Sequence, residues 1–84
     1  MSKHSHRFVE TYTGMGAYGL DRKSDEETVQ LYLQKLSDDD LMKAILGRMS
    51  DEDLRDLYEM AAKILKKYLS ENEYHRLFLK EDDA

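Results

Sequence analysis

The side chains that could do chemistry in this chain are few, and they sit in three places. His4 and His6 lie near the start, with Ser2 and Lys3 before them. A small residue at position 2 permits removal of the initiator methionine, so the chain would begin Ser-Lys-His. A free amine, two backbone amides and the His4 imidazole could then wrap Cu(II) or Ni(II) in a square plane, with His6 as an axial nitrogen; this is the tetragonal N-donor geometry those ions favour. Against this stands the ordinary reading of a polar terminus. His75 stands apart, and its i+4 position is Leu79. A metal-binding pair on a helix needs a second ligand there, so His75 reads as a surface histidine.

The second place is Gly14-Met15-Gly16-Ala17-Tyr18-Gly19, which matches G-x-G-x-x-G letter for letter. In a dinucleotide site such glycines let backbone approach a pyrophosphate at a helix N-terminus between two parallel strands. Here the next periodic segment is helical and is followed by another helical one, so the strand–helix–strand unit is not built. The expected role is a turn that brings Tyr12, Met15 and Tyr18 to the helices.

The third place is the acids. Ser24, Ser37, Ser50 and Ser70 are each followed by acidic residues: Asp25-Glu26-Glu27, Asp38-Asp39-Asp40, Asp51-Glu52-Asp53 and Glu71-Asn72-Glu73. Carboxylate clusters could hold metal or serve acid–base chemistry. The leading serine argues otherwise, because a serine oxygen caps a helix start and acids in the first turn favour the positive end of the helix dipole. Ser24 and Ser70 have Glu three residues on, the pattern of a capping box. Eleven of the sixteen acids after residue 23 belong to these first turns. The acids are thus expected to mark helix starts. No Cys nucleophile, G-x-S-x-G elbow or H-E-x-x-H pair is present, and the chain is read as non-enzymatic and without a cofactor.

The elements that must position these residues follow from the apolar spacing. Helices are expected at about 25–36 (Val29, Tyr32, Leu33, Leu36), 38–48 (Met42, Ile45, Leu46, Met49), 51–69 (Leu54, Leu57, Tyr58, Ala61, Leu65, Tyr68, widened by Met60 and Ile64) and 71–80 (Tyr74, Leu77, Phe78). With no proline in the chain, serine caps and short turns do all the punctuation. The expectation is an all-α fold: a compact cluster of four short helices with tight turns over residues 24–84. An N-terminal arm, residues 1–23, precedes it, irregular or partly extended. Residues 7–13 carry the β-branched and aromatic residues of a strand, but no second strand candidate exists to pair with it. The favoured reading packs the arm on the chain's own helices.

Length and composition bound the rest. The chain has 84 residues, 37% of them charged, no cysteine and a net charge of -5. One small domain is expected, with a thin core and no disulfide or Cys-based metal centre. No apolar run reaches membrane-span length and no signal-peptide core is seen, so a cytoplasmic protein with no membrane partner is expected. Residues 24–84 carry -7, and the first turn of the longest helix is Asp51-Glu52-Asp53. Both features oppose phosphate, and Lys63, Lys66 and Lys67 offer only weak contact, so nucleic acid is read as an unfavoured partner. The functional expectation is a small interaction or regulatory module, docking on a protein partner or on itself. It rests on six tyrosines, five methionines and an apolar arm. Phe8, Tyr12, Met15, Tyr18, Leu31 and Leu79 are the expected partner-binding residues. Metal handling through His4 and His6, or a weak nucleic-acid-associated regulator, are the alternatives.

Overall fold

The computed structural model describes residues 4–14 and 16–81. The described residues are all-α, with no strand among them. Helix α1 is a single turn, Phe8–Thr11; α2 is Arg22–Leu36, α3 is Asp39–Leu46 and α4 is Asp51–Tyr68. Helix α5, Glu71–Glu73, runs on directly as a π-helical segment, Tyr74–Phe78. Contacts divide the described chain into two units, one of residues 5–48 and one that holds residues 49–81.

The strand candidate at 7–13 is therefore a helical turn. A lone strand would leave its backbone ladder unpaired, whereas one turn of helix satisfies part of it locally. Glu10 N–H bonds to the Arg7 carbonyl at 3.1 Å, and the Thr11 hydroxyl reaches the same carbonyl.

Two of the four expected serine caps hold. Ser50 Oγ accepts from Asp53 N–H at 3.1 Å, and Ser70 forms the full capping box with Glu73. The other two starts are set by aspartate. Asp21 caps α2, accepting from Ser24 N–H at 2.8 Å and from the Ser24 hydroxyl at 2.9 Å. Moving the cap from Ser24 to Asp21 lengthens the helix by most of a turn and brings in an Arg22–Glu26 ion pair. Asp38 caps α3, because Ser37 is already engaged by the end of α2: its N–H goes to Leu33 O and its hydroxyl to Gln34 O. Ser37 also has φ -84 and ψ 5, whereas Asp38, at φ -60 and ψ 136, has the extended backbone of an N-cap.

The end of the second unit is widened rather than capped by glycine. Leu79 N–H reaches the Tyr74 carbonyl at 3.0 Å, and Glu81 N–H reaches the His75 carbonyl at 3.0 Å. Lys80 takes the left-handed turn at φ 59 that this closure requires.

Among the described residues no apolar side chain is buried; the one buried residue is Thr28, at 4% exposure. The helical stripes exist as the spacing predicts, but they are not covered. Val29, Tyr32 and Leu33 on α2 are exposed. On α4 every residue except the half-buried Leu65 is exposed. No helix is long and apolar enough to cross a membrane among the described residues.

Candidate docking faces

The 5–48 unit is built around a ridge on α2. Asp25, Thr28, Leu31, Gln34 and Ser37 follow one another at every third residue, and such rows form inclined ridges on a helix. The N-terminal arm lies along this ridge in the opposite direction. His6 Nε2 meets Ser37 Oγ at 2.9 Å. Val9 N–H donates to Gln34 Oε1 at 2.9 Å. The Thr28 hydroxyl donates to Ala17 O at 3.1 Å as well as to Ser24 O at 2.8 Å. Gly19 N–H donates to Asp25 Oδ1 at 2.7 Å. Polar side chains of α2 thus satisfy backbone groups of the arm at Val9, Ala17 and Gly19.

The glycines serve this docking. Gly16 has φ 67 and Gly19 has φ 100, where a side chain is strained. A Cβ on Gly16 would come within 3.3 Å of Leu31 Cδ2, and one on Gly14 would collide with the Tyr12 ring. Gly16 is thus the close approach to α2, whereas Gly14 makes room for the Tyr12 ring within the arm.

The expected partner-binding residues fall in both units. Phe8 and Tyr12 pack with ring centroids 5.0 Å apart and are half-buried. Leu31 is half-buried beside the arm. Tyr18 is 70% exposed and borders an open apolar groove with Val29 and Leu33. Leu79 belongs to the other unit and is exposed. Met15 lies outside the described residues. His4 and His6 are both exposed, and His6 is engaged with Ser37. No cluster of three metal-ligating side chains occurs among the described residues, and residues 1–3 lie outside them.

In the 49–81 unit, the Tyr74 and Phe78 rings stack at 5.3 Å. His75 Nδ1 lies 2.8 Å from Glu81 Oε1, and its Nε2 lies 3.9 Å from Glu71. A groove lined by Ala62, Leu65, Lys66, Leu69 and Tyr74 marks where α5 meets the end of α4. The stripe of α4 through Leu54, Leu57, Ala61 and Ile64 has the spacing of a core face. It stays open instead: Leu54 is 38% exposed, Leu57 43% and Ile64 50%.

The electrostatics are those of helix starts. Hydrogen bonds from the Ser24 backbone and hydroxyl hold the Asp21 carboxyl below its ordinary range. Hydrogen bonds from Ser70 do the same for Glu73. The Glu26 carboxylate, through its hydrogen bond, raises the Arg22 guanidinium.

These features define a class: a small all-α chain whose side chains secure helix ends and a docked arm, while its apolar helix faces stay open. No protein-family model, characterised protein or solved structure matches the chain.

Proposed function

We propose that this chain is a non-enzymatic interaction module of the cytoplasm whose docking element is the apolar face of α4. One observation carries the reading: an 18-residue amphipathic helix exposes nearly its whole length, including Leu54, Leu57, Tyr58, Met60, Ile64 and Tyr68. Most helical stability in proteins comes from packing an apolar face. Exposed apolar patches of this kind mark interaction surfaces. Tyr and Met suit such a surface, since one gives a large amphipathic contact and the other adapts to irregular shapes. The absence of cysteine fits a reducing compartment.

The test compares wild type with Ile64→Asp, measuring mass by sedimentation and binding by capture from native lysate. A charge in the middle of the face should weaken association at least about tenfold. An unchanged mass distribution together with an unchanged set of bound proteins would overturn the reading.

A further inference from the structure

We infer that the partner of the α4 face is a second copy of this chain, paired antiparallel through α4. The inference rests on the docking reading above and adds the partner, its direction and its register.

Leu54, Leu57, Ala61, Ile64 and Tyr68 fall at alternating steps of three and four residues, with Ser50 preceding at the same step. That is the seam of a two-helix coiled coil. The groove against α5 lies toward Ala62, Leu65, Lys66 and Leu69, roughly 120° round the helix axis from the seam centre. The seam is therefore not the face α5 uses.

Charge gives the direction. Residues 51–59 carry Asp51, Glu52, Asp53, Asp56 and Glu59 against Arg55 alone; residues 60–68 carry Lys63, Lys66 and Lys67 and no acid. Helix-dipole preference accounts for the first and last turns only. Asp56, Glu59 and Lys63 lie between those turns and extend the same segregation. A parallel pair would set acid against acid and base against base. An antiparallel pair sets each acidic half against a basic half.

Register follows from the seam. Antiparallel layering places Leu54 opposite Ile64 of the second copy and Leu57 opposite its Ala61, and the symmetry repeats both. The residues flanking those layers are then Asp53 opposite Lys67 of the second copy, twice, and Met60 opposite its own counterpart. Neither Asp53 nor Lys67 makes an ion pair among the described residues. Lys67 extends over the Tyr68 ring, 5.3 Å from its centroid, so its charge lies near the seam.

The experiment uses the full chain in sedimentation equilibrium: wild type, Asp53→Lys and Lys67→Asp, each alone, then an equimolar mixture of the two variants. Each variant alone opposes like charges at two symmetric places and should dimerise about tenfold more weakly than wild type. The mixture should recover most of the affinity that each variant alone loses. In the mixed pair the positive charge introduced at position 53 faces the negative charge introduced at position 67, and Lys67 of the first variant faces Asp53 of the second. Loss of helix-dipole interactions in the variants is not recovered by mixing, so recovery reports the pairing itself. Dimerisation of the wild type without recovery on mixing overturns the antiparallel register and leaves the docking reading intact. A wild type monomeric at about 100 µM overturns self-pairing, and the Ile64→Asp comparison then decides the docking reading separately.

Discussion

At the scale of single residues, the protein is held by hydrogen bonds at helix ends. Asp21 and Glu73 are the two carboxylates whose capping bonds draw them below their ordinary values of 3.8 and 4.5. A carboxylate depressed in the folded state stabilises it above its unfolded pKa, and the contribution disappears as pH falls through the folded value. Helices α2 and α5 should thus lose stability on acidification from about pH 5 downward. Asp21→Asn and Glu73→Gln should flatten that loss, read as helical ellipticity between neutral and acid pH. The same reasoning separates Asp21 from Ser24. Asp21→Ala should fray the first turn of α2, with faster exchange of the Ser24 amide, whereas Ser24→Ala leaves the cap acceptor in place and should change little. Equal effects of the two would show that the cap is not at Asp21. Serine and aspartate are both common cap residues, and the apolar spacing places the helix start at Ser24. The choice of Asp21 depends on a turn of helix, residues 22–24, that carries no apolar residue and so no periodic signal.

At the scale of elements, the helices are legible because their spacing and their caps agree. The four amphipathic segments of the sequence are four helical segments among the described residues, with boundaries shifted by a few positions. The arm is legible only in part. Its glycines and aromatics imply close packing, and it does pack on α2. The ridge that receives it escapes a search for apolar stripes, because Asp25, Thr28, Gln34 and Ser37 are polar. Their common step of three residues is the available signal. Thr28 tests this element most directly, being the one buried residue among the described residues and bonding both the arm and its own helix. Thr28→Val keeps the shape and removes the donor, leaving the Ala17 carbonyl without it. The expected cost is about 1–2 kcal/mol, measured by denaturant unfolding. Gly16→Ala should cost about 1 kcal/mol, from its left-handed backbone and the approach of Leu31. If neither variant shifts the unfolding midpoint, the arm does not contribute to stability.

At the scale of the whole molecule, burial is what sequence does not supply. Periodicity says that a helix has an apolar face; it does not say whether that face meets the same chain or another. The stripe of α4 has the pattern of a core face, and small domains usually need one. The described residues instead contain no fully buried apolar side chain, so hydrophobic burial among them is only partial. Under the proposed self-pairing, stability comes from association, and association follows mass action. The melting temperature should therefore rise with protein concentration. On dilution the helical signal of α4 should fall before that of α2, which the arm ties along one ridge. Leu57 and Ile64 report the first event and Thr28 the second, through amide exchange or methyl resonances followed over a dilution series. For a dimer, each tenfold dilution should lower the midpoint by a constant step in reciprocal temperature, and Ile64→Asp at high concentration should resemble wild type at low concentration. A melting temperature and an α4 exchange rate that stay fixed across the whole series would show that the single chain is stable without a partner.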